Sequence, residues 1–153
     1  MYNKLKLAFF SSSPNAIDVL NELAKSFEIK LVITSPDKPI GRKQVMTPSP
    51  LKSWAIENKI KYLTPITLKK ETKVSLDKFS RSRIRSLATD FDPAENFCQA
   101  GFCNQRTVVQ TIKDLLVDVA VVIDYGLLIP TAVFNSPRFK TLNIHFSNLP
   151  KYR

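Results

Sequence analysis

Two side chains near the carboxyl end of the sequence have the types and the spacing to act on a carbonyl group. Asn143 and His145, the only histidine of the chain, lie two positions apart in an apolar run. Alternate residues of a β-strand point to the same face, so a strand here would present the amide and the imidazole side by side. The pair could hold and polarise a carbonyl oxygen, which makes Asn143 and His145 the candidate catalytic residues. The intervening apolar side chains would pack on the opposite face: Leu142, Ile144 and Phe146.

The order of the apolar segments predicts a Rossmann-like, doubly wound α/β fold with a mostly parallel sheet. Short β-branched runs alternate with segments of helical spacing. In such sheets ligands bind beyond the carboxyl ends of the strands, where Asn143 and His145 would lie. Gly-x-Gly-x-x-Gly does not follow the first strand, so a dinucleotide site is not expected. The predicted strands are 4–10, 29–34, 61–63, 118–124 and 141–145, and the predicted helices are 15–26, 51–58 and 108–116.

Two segments interrupt this alternation. Residues 35–50 carry four prolines and one glycine, which predicts a loop. Residues 69–106 are polar and irregular, and connections of this length are uncommon inside compact domains. We therefore predict a surface insertion at 69–106.

Length and composition indicate one globular domain with a surplus of basic residues. The chain has 153 residues, 44% of them hydrophobic, and no apolar run long enough to cross a membrane, so we expect a cytoplasmic protein. Its net charge of +10 fits a polyanionic partner such as nucleic acid and fits a generic basic protein equally well. Cys98 and Cys103, with one distant histidine, fall short of the four ligands of a structural zinc site, so no metal is expected.

Three blocks of sequence occur in a fixed order. They are residues 36–43 with 47–52, residues 125–130, and residues 143–145 leading to 149–153. In order and spacing they closely resemble the amino-terminal domain of the methionyl-tRNA formyltransferase family. The second and third blocks alone resemble folate-dependent formyltransferases in general, and the first block is what points to the tRNA enzymes. The resemblance covers residues 1–68 and 108–153 and implies the formyltransferase fold.

The resemblance implies a reaction and its co-substrates. A formyl group would pass from 10-formyltetrahydrofolate to the amine of methionine on initiator methionyl-tRNA, without a metal. Asn143 and His145 match the family's catalytic asparagine and histidine, which would bind the oxyanion and help to move the amine proton.

The resemblance also assigns two binding surfaces. The wall of the folate pocket would be formed by Tyr125, Gly126, Leu127, Leu128 and Ile129. Gly126 would permit close approach or an unusual backbone angle. The loop at 35–49 would face the acceptor end of tRNA, with cations suited to phosphate oxygens at Lys38, Arg42 and Lys43, extended by Lys52.

The sequence also departs from the family pattern. Ser11 and Ser12 stand where Gly-Thr usually ends the first strand, and Asp124 replaces a small residue. The family's catalytic aspartate and its carboxy-terminal barrel would follow residue 153. We therefore expect a truncated amino-terminal catalytic domain over 1–153, incomplete at the carboxyl end of its fold, monomeric, and impaired in formyl transfer.

Two other functions remain open from the sequence. One is a folate-dependent formyltransferase that acts on a purine precursor or an amino sugar, against which the 36–52 block argues. The other is a non-catalytic RNA-binding remnant that exploits the charge of +10. Folate binding separates the two classes, because a remnant that only binds RNA should show none.

Overall fold

A five-stranded parallel sheet lies at the centre of the structure, a computed structural model that describes residues 4–68, 105–145 and 151. Each neighbouring pair of strands is parallel. The predicted doubly wound, mostly parallel sheet is confirmed. In spatial order the strands are β5 (Lys61–Leu63), β2 (Glu28–Ile33), β1 (Lys6–Ser11), β6 (Val119–Ile123) and β7 (Thr141–Ile144).

Helices cover both faces of the sheet. On one face, α1 (Ala16–Ser26) and α2 (Pro50–Glu57) pack over Leu7 and Phe9 of β1. On the other, α3 (Gln105–Asp114) and α4 (Thr131–Phe134) pack over Ala8 and Phe10. Successive residues of β1 thus enter two separate cores, which explains why this strand is a continuous apolar run. None of the helices in the described residues is long and apolar enough to cross a membrane.

The predicted loop at 35–50 is wrong in part, because it contains an antiparallel hairpin. Strands β3 (Lys38–Ile40) and β4 (Val45–Thr47) pair around a turn in which Gly41 has φ +75° and Gln44 has φ +49°. Glycine adopts such angles without steric cost, which allows the chain to reverse here. We name this segment the basic hairpin (residues 38–47).

The third helix begins earlier than the sequence indicates. It starts at Gln105, not at 108, so the last two residues of the predicted insertion at 69–106 belong to a helix. The rest of that predicted insertion lies outside the residues that the structure describes.

The packing predicted for the outer residues of β7 is wrong. Leu142 is 60% exposed and Ile144 is 43% exposed, whereas Phe146 lies outside the described residues. In the described part of the chain β7 pairs only with β6, at the end of the sheet opposite to β5. Helices α1 and α2 make their main sheet contacts with β2 and β5, away from β7 at the far end of the sheet.

Ser49 joins the end of β2 to the start of α2. Its Oγ accepts a hydrogen bond from the Lys52 N–H at 3.2 Å, which caps the helix, and lies 3.1 Å from Oγ1 of Thr34. Thr34 is buried immediately after β2. Because the basic hairpin lies between Thr34 and Ser49, this contact closes the base of the hairpin.

We predict that Ser49→Ala lowers the free energy of unfolding by about 1 kcal/mol, the usual cost of losing a helix cap. Urea unfolding would measure the change. Ser53→Ala, in the interior of the same helix, is the control and should cost less, because alanine is the better helix former there. Equal losses for the two variants would contradict the capping role.

Candidate active site

A cavity beyond the carboxyl ends of β6 and β7 contains both predicted catalytic residues. Its volume is about 690 Å³, within the range of small-molecule sites, roughly 300–1,000 Å³. Asn143 pairs in register with Val122, so it lies on the face of the sheet covered by α3 and α4. His145 is exposed and lines the same cavity. The amide and the imidazole therefore line the same cavity, as the two-residue spacing predicts.

The segment after β6 forms an apolar wall of this cavity. Tyr125, Leu127 and Ile129 are partly buried and pack against the core, and the Tyr125 ring meets Phe10 edge-on at 5.5 Å between centroids. Leu128 points outward and is 91% exposed at the rim. All four of these predicted wall residues line the cavity.

Gly126, the fifth predicted wall residue, does not line the cavity. Its N–H donates to Oγ of Ser12 at 3.2 Å. Of the two roles expected for Gly126, close approach or an unusual backbone angle, the second is not seen there, whereas Asp124 has φ +44°, a conformation that aspartate tolerates better than most residues. A Cβ on Gly126 would meet only Oγ of Ser12, at 3.7 Å, so the fold itself does not demand glycine there.

Ser12 holds together the segments that follow the two neighbouring strands β1 and β6. Its N–H donates to the Asp124 carbonyl at 3.1 Å, while its hydroxyl accepts from Gly126. The two hydrogen bonds fix the direction in which residues 125–129 leave β6. In the sequence Ser12 stands out only as a departure from a family pattern. Ser12 directly follows the first strand, where it lies beside the end of β6. This position was the signal that could have identified its role.

The basic hairpin projects from the same edge of the sheet as Asn143. It follows β2, and the carboxyl ends of parallel strands meet at one edge. Three strand spacings of about 4.8 Å separate β2 from β7, or about 14 Å. Lys38, Arg42 and Lys43 are exposed, and none of them forms an ion pair with another described residue.

Lys52 differs from the other three predicted cations. Its Nζ lies 2.8 Å from a carboxylate oxygen of Asp37 and 5.6 Å from the centroid of the Tyr62 ring. The Lys52 side chain is largely buried, with 13% exposure. The ammonium therefore ties the base of the basic hairpin to α2, and any contact of Lys52 with a phosphate would compete with Asp37.

Side chains that could bind a metal ion do not cluster in the described residues. No group of three or more His, Cys, Asp or Glu side chains lies close enough there to hold an ion. The polar and ionisable side chains that line the cavity include Asp124, Asn143 and His145.

Comparison with known proteins gives a family and several relatives. Residues 5–153 match the family described as formyl transferase. The chain is 30% identical over 150 residues to a methionyl-tRNA formyltransferase of Sulfurihydrogenibium sp. and 32% identical over 149 residues to one of Hydrogenobaculum sp.. Each alignment covers 97% of this chain, which spans about 37% of the length of these relatives.

Solved structures support the fold. A glycinamide ribonucleotide transformylase from Geobacillus kaustophilus superimposes with a TM-score of 0.57 at 15% identity, covering 99% of this chain and 63% of the other. A phosphoribosylglycinamide formyltransferase from Bacillus halodurans gives a TM-score of 0.54 at 16% identity, covering 97% and 59%. At these identities the likeness concerns the architecture of the chain alone.

We predict that Ser12→Ala accelerates hydrogen exchange at the Gly126 amide by about twofold to tenfold, the equivalent of one lost neutral hydrogen bond. Exchange followed by NMR would measure it. Ser13→Ala is the control, because Ser13 engages its neighbours through its N–H and carbonyl groups. An unchanged Gly126 exchange rate in Ser12→Ala would show that the hydroxyl does not hold this segment.

Proposed function

Because the chain belongs to the formyl transferase family, we propose that it transfers a formyl group from 10-formyltetrahydrofolate to the amine of methionine on initiator methionyl-tRNA. The observation that carries the proposal is the convergence of Asn143 and His145 on one cavity with an apolar wall. An amide donor and an imidazole at the mouth of such a cavity suit acyl transfer.

The reaction exchanges one carbon–nitrogen bond for another. The methionine nitrogen bonds to the formyl carbon, the donor nitrogen leaves it, and a proton passes from the first nitrogen to the second. Negative charge develops on the formyl oxygen as the amine attacks. The Asn143 amide N–H would donate a hydrogen bond to that oxygen, and His145 would donate a second bond and relay the proton. Neither residue needs a metal ion for these roles.

The apolar wall supports binding of a flat, folate-like donor. Tyr125, Leu127 and Ile129 present hydrocarbon and ring surface while the core holds them in place. Leu128, exposed at the rim, could close over a bound ligand and lose contact with water. Ser12 holds the start of this wall, so it serves as a positioning residue for the donor site.

The basic hairpin supports tRNA as the acceptor. Its three exposed cations lie on the same edge of the sheet as the cavity, at a strand separation of about 14 Å. Phosphate oxygens of an RNA could contact the hairpin while its esterified end enters the cavity. The relatives named methionyl-tRNA formyltransferase point to the same acceptor.

We predict that Asn143→Ala and His145→Ala each lower kcat/KM for formylation of methionyl-tRNA by about 100-fold or more, the usual cost of one oxyanion donor. Thr131→Ala is the control, since Thr131 is exposed at the start of α4 and does not line the cavity. A radiolabelled formyl transfer assay would measure the rates.

Titration calorimetry with 5-formyltetrahydrofolate, a stable analogue, would separate chemistry from binding in these variants. Affinity within about threefold of the unaltered protein is expected. Full turnover by His145→Ala would contradict its assigned role. Binding of RNA without binding of folate would instead indicate a non-catalytic remnant. Formylation of a purine precursor or an amino sugar, but not of methionyl-tRNA, would indicate another acceptor.

We predict that Arg42→Ala combined with Lys43→Ala weakens tRNA binding and lowers the slope of log affinity against log salt by about 1.8, or 0.9 for each lost phosphate contact. Affinity for the folate analogue should not change. The control pair is Lys59→Ala with Lys61→Ala, which removes the same charge from exposed positions away from the hairpin. Filter binding at several salt concentrations would measure the slope, and equal slopes for the two pairs would reject a specific role for the hairpin.

A further inference from the structure

A second concave surface lies at the opposite edge of the sheet from the candidate active site. It encloses about 730 Å³ between the amino ends of β1 and β6 and the end of α3. The rise along β1, from Lys6 to Ser11, separates this edge from the carboxyl edge by about 16 Å. The charged residues that line it are Lys4, Lys6, Lys113, Asp118 and Arg138, and we name it the amino-edge groove.

The amino-edge groove carries excess positive charge. Four of its lining residues are cations and one is an acid. Asp118 is already engaged, because its Oδ2 accepts the Lys6 N–H at 2.9 Å and its Oδ1 lies 4.0 Å from Arg138. The Lys4 ammonium donates to the Lys25 carbonyl at 2.8 Å, which positions its charge without neutralising it. The lining residues therefore carry four positive charges and one negative charge, a balance that favours an anionic ligand.

An exposed aromatic ring lies beside one of these cations, Arg138, at the margin of the groove. The guanidinium carbon of Arg138 lies 5.0 Å from the centroid of the Phe139 ring, and Phe139 is 53% exposed. Nucleobases stack on aromatic rings and on guanidinium planes, whereas an acidic peptide would use only the positive charge. The exposed ring beside the cations thus favours a nucleic acid over an acidic protein segment.

We propose that the amino-edge groove binds single-stranded RNA, with phosphates at Lys113 and Arg138 and a base stacked at Phe139. This surface is separate from the basic hairpin, which projects from the other edge of the sheet. The inference does not depend on formyl transfer, because none of the residues of the groove lines the candidate active site.

Fluorescence anisotropy with a labelled 15-nucleotide oligouridine tests the proposal. The variant is Lys113→Gln with Arg138→Gln, and its matched control is Lys59→Gln with Lys61→Gln, which leaves the same net charge. The groove pair should weaken binding by about tenfold and lower the salt slope by about 1.4, or 0.7 for each lost contact with a single strand. The control pair should change affinity by less than about twofold.

Phe139→Leu separates stacking from charge. It keeps an apolar side chain, so it should weaken oligouridine binding by about fivefold or more and leave binding of inorganic polyphosphate unchanged. Thermal unfolding followed by circular dichroism would confirm that each variant is folded.

Three results would overturn the proposal. Equal losses in the groove pair and its control would assign binding to net charge, and an unchanged groove pair would place the RNA elsewhere. If a polyglutamate peptide binds through Lys113 and Arg138 and oligouridine does not bind, the surface is a site for an acidic protein.

Discussion

The pairing of β1 with β6 is the contact on which the candidate active site depends. β1 lies between β2 and β6 and sends Leu7 and Phe9 into one core and Ala8 and Phe10 into the other. A slip of one residue would exchange the two faces, so burial fixes the register of β1 strongly. That register ends with Ser11 opposite Ile123, which brings Ser12 to Asp124 and sets the path of the cavity wall.

The carboxyl edge of the sheet combines two different environments. Apolar side chains after β6 form one wall of the cavity, and Asn143 and His145 line it as well. The exposed cations lie instead on the basic hairpin, where water solvates them. Strands β2 and β7, which lead to the hairpin and to the cavity, lie about 14 Å apart, and none of the hairpin cations lines the cavity.

The surplus of cations in this chain has more than one physical role. Lys52 is largely buried, paired with Asp37 and placed over the Tyr62 ring, and so it works as a structural anchor. Arg42 and Lys43 are exposed in the turn of the basic hairpin and are available to a ligand. Net charge alone does not distinguish these cases, because the role of each lysine depends on the acid or ring that the fold brings beside it.

The sequence by itself determined the doubly wound sheet, most of its strands, and the shared placement of Asn143 and His145. These features follow from periodicity within a few residues, which the backbone geometry of a strand or helix dictates. Only the tertiary structure showed the pairing of β3 with β4, the exposure of Leu142, the clamp through Ser12 and the anchoring of Lys52 by Asp37. Each of these depends on which segments lie side by side after folding, and for Ser12 and Gly126 the two residues are far apart in the chain, where local sequence carries little information.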